Sequence, residues 1–168
     1  MKKIFLCILA LALLIGVLAG CGKQELSESP ITKPTRLQLA GGQVSVTLPE
    51  GFYADRSAAL AADQIGRYCC QDNYTLEIFQ VAKKGNDSLQ SVADSRAQEM
   101  DAKAFKVTVE DNVFMCYNYQ EMTDGRMITV TNYVIAAKQC FLVLSFHHNG
   151  SDAQARAIGA FLEDVKVH

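Results

Sequence analysis

The stretch Tyr117-Asn118-Tyr119-Gln120-Glu121-Met122-Thr123-Asp124-Gly125-Arg126-Met127-Ile128-Thr129-Val130-Thr131 decides the fold. Val113 to Gln120 and Met127 to Ala136 read as two strands. The Asp124-Gly125 pair between them suits a two-residue loop whose central positions both need positive φ. That loop length sets a register in which Cys116 falls opposite Tyr133. A tight turn at Ala137 to Gln139 then leads into a third strand, Cys140 to His147, and brings Cys140 back near residues 135 to 137. Three antiparallel strands in succession make a meander. Tyr and Phe concentrate between residues 105 and 146, and the chain has no Trp, so the central packing is expected there.

Working toward the N-terminus, Leu89, Val92, Ala93, Arg96, Ala97 and Met100 recur at helical spacing. Asp87 or Ser88 can cap that helix, and Asp87 with Gln90 has capping-box spacing. Arg96 is the one polar break in the stripe; its stem is expected along the sheet with its head in water. Before the helix, Ile65 to Gln71 and Tyr74 to Val81 read as two strands around a turn at Asp72-Asn73. The Ala-rich residues 57 to 63 suggest a short helix. Val44, Val46 and Leu48 alternate with Ser45 and Thr47 as a half-buried strand, which Pro49-Glu50-Gly51 ends. Toward the C-terminus, Asn149-Gly150 is a turn and Ser151 with Gln154 makes a second capping box. Ile158, Phe161, Leu162 and Val165 give the apolar stripe of a closing helix. The expected order is strand, strand pair, helix, meander, helix. This is an α+β class domain: an antiparallel sheet with both helices on one face and residues 36 to 62 over part of the other.

The first 35 residues have a different character. Met1-Lys2-Lys3 is a positive start, and Ile4 to Leu18 is an apolar run of about 15 residues, which suits a signal peptide and is short for a membrane span. Leu18-Ala19-Gly20-Cys21 follows and resembles the lipobox of bacterial lipoproteins. That motif needs a thiol to carry the acyl-bearing glycerol as a thioether, and small neighbours so the backbone can enter the processing peptidase. The resemblance implies signal-peptidase recognition at Leu18, Ala19 and Gly20, and lipidation (palmitate among the acyl chains) at Cys21. Cys7 lies in the discarded segment. Residues 22 to 35, with Pro30, Pro34 and many polar residues, show no apolar period and read as a tether reaching roughly 20 Å. The expected division is signal peptide 1–20, tether 21–41 and folded domain 42–168. The expected location is the extracytoplasmic side of a cell membrane.

The 168 residues carry a formal charge of −2, and loss of residues 1–20 with Lys2 and Lys3 would leave it near −4. No global charge draws the chain to nucleic acid. About 125 residues remain for one core.

The order of elements resembles the Mog1/PsbP-like fold. The residues that carry the likeness are Val44-Ser45-Val46-Thr47-Leu48-Pro49-Glu50-Gly51-Phe52, the helix from Leu89, the meander from Val113 to Phe146, and the close Glu163-Asp164-Val165-Lys166-Val167. The likeness covers about residues 42 to 167 and its motifs are structural. It implies an α/β sandwich, and binding or scaffolding more often than catalysis. It matches no functional motif, so it assigns no binding residues.

Few residues point to chemistry. Cys69, Cys70, Cys116 and Cys140 are expected as free thiols used for packing, with no disulfide. Cys116 and Cys140 stand on strands that flank a third, about 9.5 Å apart or more, beyond the ~7 Å a disulfide spans. Cys69 and Cys70, as strand neighbours, point to opposite faces. There is no Cys-x-x-Cys. His147 and His148 are expected to be solvent-exposed at a strand end, and His168 is the last residue. No metal site has recognisable spacing. Asp94, Glu99, Asp101, Glu110 and Asp111 are expected to solvate the surface. Ser145 and Ser151 lack a nucleophile-elbow context. Tyr117, Tyr119 and Tyr133 are expected to pack, with a ligand or partner patch as the other use.

The reading that follows is a membrane-anchored, extracytoplasmic, non-catalytic binding or accessory module, with no catalytic residue and no cofactor. Its expected partners are the membrane, through the lipid on Cys21, and an envelope protein or small ligand. The competing reading is a thiol-based or metal-assisted envelope enzyme built on Cys69-Cys70 or His147-His148. A transporter's solute-binding component ranks below both, because the chain lacks the length for two lobes.

Overall fold

The computed structural model describes residues 29–57, 59–70 and 74–168. The signal-peptide run, the lipobox and the Asp72-Asn73 turn lie outside the described residues. Ten strands form two antiparallel sheets among them. A three-stranded sheet runs in the order β1 (Thr35–Leu39), β2 (Val44–Leu48), β10 (Lys166–Val167). A seven-stranded sheet has β9 (Cys140–His148) at its centre. On one side of it stand β5 (Thr75–Ala82), β4 (Gln64–Cys70) and β3 (Phe52–Ala54). On the other stand β8 (Arg126–Ala136), β7 (Asn112–Thr123) and β6 (Phe105–Val109). Two helices complete the fold, α1 (Leu89–Glu99) and α2 (Asp152–Glu163).

The meander forms as its turn chemistry requires. Asp124 and Gly125 take φ of 49° and 74°, the left-handed pair of a type I′ loop. Cys116 pairs with Tyr133, and Ala137 N–H donates to the Cys140 carbonyl.

The side chains of β9 alternate between two cores. Leu142, Leu144 and Phe146 face one side, where Ile158, Phe161 and Leu162 of α2 and the apolar residues of β1 and β2 meet them. Phe141 and Val143 face the other, where Ala93 and Ala97 of α1 lie against them. The helices therefore sit on opposite faces, not together on one. The face opposite α1 is closed by α2 and the small sheet, giving an α/β sandwich in which the large sheet is the middle layer.

Other expectations are also corrected. Thr35–Leu39 is a strand paired along its length with β2, so the tether does not extend to residue 41. Ile31 is already tied down, donating its N–H to the Phe52 carbonyl and accepting from Gly51 N–H. The described residues from 57 to 63 form bends and turns, not a helix. α1 is capped by Ser88 and Ser91, which exchange reciprocal bonds, while Asp87 accepts from Lys84 N–H instead. Ser151 caps α2, but the Gln154 side chain accepts from Asn149 N–H, so the second box is only half formed. After α2 the chain returns to extended form as β10 beside β2. β6 was not read from the sequence: its turn into β7 places Glu110, a residue with no turn preference, at φ 50°.

Candidate functional site

Register arranges the α1-facing residues of the large sheet in ranks. Arg67 pairs with Glu77, Glu77 with Ser145, Ser145 with Asn132, and Asn132 with Tyr117. Five polar side chains thus cross five strands in one row. The next rank toward the Asp124-Gly125 turn holds Cys69, Thr75, His147, Val130 and Tyr119, and beyond it Ile128 stands opposite Glu121. On the other side of the polar row the rank is Phe79, Val143, Val134 and Met115, and there α1 packs. This face therefore has an apolar half under α1 and a polar half in which α1 packs over Tyr117 and Tyr119 but not over Arg67, Glu77 and Ser145.

A shallow recess of about 230 Å³ opens in the polar half, lined by Asp55, Arg67, Glu77, Glu121, Ile128 and His147 among others. Arg67 Nε donates to Glu77 Oε1 at 2.8 Å. His147 stands between two carboxylates, with Nε2 3.4 Å from Glu77 Oε2 and Nδ1 3.4 Å from Glu121 Oε1. The His147 hydrogen bond, with help from Arg67, holds the Glu77 carboxyl down at about 2 despite its burial. The Asp55 carboxyl is also lowered, chiefly because Ser57 donates to it. Deeper in the row, Ser145 and Asn132 are 3% and 4% exposed, and Asn132 Nδ2 finds no partner within the protein. Such a constellation can hold a partner's polar and charged groups by directional bonds. It presents no activated nucleophile.

A larger recess of about 540 Å³ lies beside α1, lined by Asp63, Lys84, Asp87 and Arg96 among others. There the Arg96 guanidinium meets the Asp63 carboxylate and lies 5.8 Å over the Phe79 ring. Its stem follows the sheet, but its head is paired rather than left to water.

Three solved structures share this arrangement of layers. A protein of Bacteroides thetaiotaomicron matches at TM-score 0.60 and 13% identity over 82% of this chain. The match spans 49% of that protein, so this chain covers about half its length. Cyanobacterial PsbP of Synechocystis matches at TM-score 0.59 and 7% identity, covering 82% of this chain and 94% of that one. The Ran-binding protein Mog1p of Saccharomyces cerevisiae matches at 0.52 and 10%, covering 80% and 95%. The fold is Mog1/PsbP-like. No family model and no curated protein sequence matches the chain. At these identities the likeness concerns the fold, and the site of this Mog1/PsbP-like domain is read from its own residues.

The cysteines of the domain do not converge. Cys69 turns to the polar half, 3.7 Å from Thr75 Oγ1 and 3.8 Å from Asp55 Oδ2, while Cys70 packs against the core under α2. Cys116 and Cys140 stand on β7 and β9 with β8 between them. All four sulfurs are free. Burial raises the thiols of Cys69 and Cys140 and pushes Cys116 up to about 11. These three are protonated at neutral pH, and a protonated thiol is a poor nucleophile.

The expectation of two solvent-exposed histidines is corrected. His148 is 8% exposed, accepts from Gly150 N–H at Nδ1 and pairs through Nε2 with Thr131 Oγ1. Burial, and then the charge of His147, lowers its titration. The two rings point to opposite faces, and among the described residues no His, Cys and carboxylate cluster could hold a metal. His168 Nε2 bonds Ser45 Oγ at 3.0 Å, far from the recess. Tyr117 and Tyr133 pack, and burial pushes both up to about 12. Tyr119 stands in the His147 rank and packs against the cluster under α1.

Sequence reading missed Arg67, Glu77, Glu121 and Asn132. The signal lay in the register of the β4–β5 hairpin. A two-residue turn at Asp72-Asn73 would set Arg67 against Ile78, whereas Cys69 actually pairs with Thr75 and leaves three residues between Cys70 and Tyr74. The one-residue difference puts Arg67 opposite Glu77.

Glu77 gives a pH prediction. Its folded-state value lies below its ordinary 4.5, so its stabilisation is fully present above about pH 4.5 and is lost as pH falls toward about 2. The interval corresponds to about 3 kcal/mol. Urea unfolding at pH 6, 4 and 2.5 should show wild type losing most of this margin, and Glu77→Gln, which starts lower, losing much less. Parallel losses in both proteins would refute the assignment.

Proposed function

We propose that the chain is an extracytoplasmic lipoprotein whose Mog1/PsbP-like domain is a non-catalytic binding or accessory module. Residues 1–20 act as the signal peptide, with Leu18, Ala19 and Gly20 read by the processing peptidase. Cys21 carries the lipid that holds the domain at the membrane. Among the described residues no helix is long and apolar enough to cross a membrane.

The observation that carries the binding reading is the polar half of the α1-side face. Charged and hydrogen-bonding side chains are ranked across five strands there, and the helix that covers the rest of the face packs over Tyr117 at one end of the row but not over Arg67, Glu77 and Ser145. A surface built only to stay soluble has no need to bury Ser145 and Asn132 beneath it. The polar half also lies at the end of the sheet where Ile31 joins Phe52, the end from which the chain leads back toward Cys21. Mog1p is described as Ran-binding, and a protein partner for this domain is the reading we adopt. Among the described residues no specific observation favours the enzyme alternative, and burial raises the thiols of Cys69, Cys116 and Cys140.

The test is site-specific photocrosslinking in intact cells. A photoreactive residue at Thr75 or Thr123 should give a discrete adduct, and one at Lys106 on the β6 edge should not. Adducts from Lys106 alone, or none from any position, would overturn the placement of the site.

A further inference from the structure

The free end of the β7–β8 hairpin is held by few strand partners. Pairing of β8 with β9 ends at Thr129 and His148, and pairing of β6 with β7 ends at Phe105 and Cys116. Glu121 to Thr123 and Arg126 to Ile128 then continue the ladder with only each other. His147 of β9 reaches this end from the central strand: its Nδ1 faces Glu121, while Nε2 lies 3.4 Å from Glu77 Oε2 and 3.4 Å from Ser145 Oγ.

We infer that His147 is a protonation-dependent latch between the hairpin end and the sheet. An imidazolium has two N–H donors and can serve both carboxylates, whereas a neutral imidazole has one. The neutral ring must choose. Arg67 serves only Oε1 of Glu77; Glu77 is 16% exposed and Glu121 38%, so leaving Glu77 Oε2 without a donor is the costlier option. The proton therefore stays on Nε2, and Nδ1 turns a lone pair toward Glu121. The contact that was an attraction becomes a repulsion, and the hairpin end is released to open locally.

Every ionisable group around the ring fits this picture. From β4, Arg67 neutralises Glu77 at 2.8 Å but does not contact Glu121, and Cys69 stands two strands away across Thr75. From β7, Tyr119 stands beyond Val130 in the same rank. Asp55 lines the far side of the recess. His148 is on the opposite face, bonded to Thr131. The latch needs no partner and stands independently of the proposed binding function.

Hydrogen exchange of the folded domain at pH 5.5 and 7.5, corrected for intrinsic rates, tests it. Protection of amides 121–128 in wild type should be roughly threefold higher at pH 5.5. In Glu121→Gln, whose substituted side chain is partly exposed and leaves the core intact, protection should be the same at both values. His147→Gln should behave alike. Leu144, in the central ladder, should show no such change in any of the three. Equal protection at both pH values in wild type, or an undiminished rise in Glu121→Gln, would overturn the latch.

Discussion

Replacing Phe146 by alanine is expected to cost about 3–5 kcal/mol, the range for a large aromatic removed from a core. Phe146 is fully buried on the central strand of the large sheet. Its ring meets Phe161 at 5.4 Å and Tyr133 at 6.0 Å, both edge-on, and Tyr74 at 6.4 Å. Through Phe161 it fastens α2 to the sheet, and through Tyr74 it reaches the start of β5. None of these neighbours can collapse into the space, because each is held by its own strand or helix, so the cavity persists. The melting temperature should fall by on the order of 10 °C. Phe105→Ala is the control: that ring is 49% exposed at a sheet edge and should cost well under 1 kcal/mol. Similar losses at the two positions would mean that the core is not centred on β9.

The second large effect is on location. Cys21→Ser is expected to move the protein from the membrane fraction to the soluble fraction while leaving its melting temperature unchanged. A thioether-linked diacylglycerol brings two acyl chains, each buried CH₂ contributing about 0.8 kcal/mol, so anchored and unanchored forms differ by many orders of magnitude in partitioning. Serine cannot form the thioether. Among the described residues the buried core begins at Leu37, and Ile31 exchanges backbone hydrogen bonds with Gly51 and Phe52. In the proposed anchoring, the ten residue steps from Cys21 to Ile31 allow a reach of at most about 35 Å. Retention of Cys21→Ser in carbonate-washed membranes would overturn the lipid reading. Its unfolding as a secreted protein would overturn the division between anchor and domain.

The two predictions draw on different kinds of legibility. The proposed lipobox is a contiguous local pattern, so sequence alone singles out Cys21. Phe146 was legible as a strand residue, but its place at the centre of the aromatic cluster depends on α2 folding back across β9. The recess was least legible of all. Arg67, Glu77, Glu121 and His147 come from four strands, and each looks like an ordinary surface residue in its own strand. A hairpin turn one residue longer than the expected Asp72-Asn73 loop was enough to hide the Arg67–Glu77 pair. His148 was missed as a buried group for a similar reason: burial at a strand end depends on what packs over it, here the turn at Gly150.

By itself the sequence determined the local elements and their pairing where turn chemistry is strict. Asp124-Gly125 dictated the meander and set Cys116 against Tyr133, because a two-residue loop permits one register. Helical periodicity identified the faces of α1 and α2 that seek a core. Only the tertiary structure decided that those helices lie on opposite sides of the large sheet. A stripe of apolar residues says which side of a helix is buried but not which side of a sheet will bury it. That choice is made by where the connecting chain crosses and by what already occupies each face. Here β1 and β2 close one face with α2, and α1 takes the other but does not cover it, leaving the rank of Arg67, Glu77 and Ser145 beyond its reach.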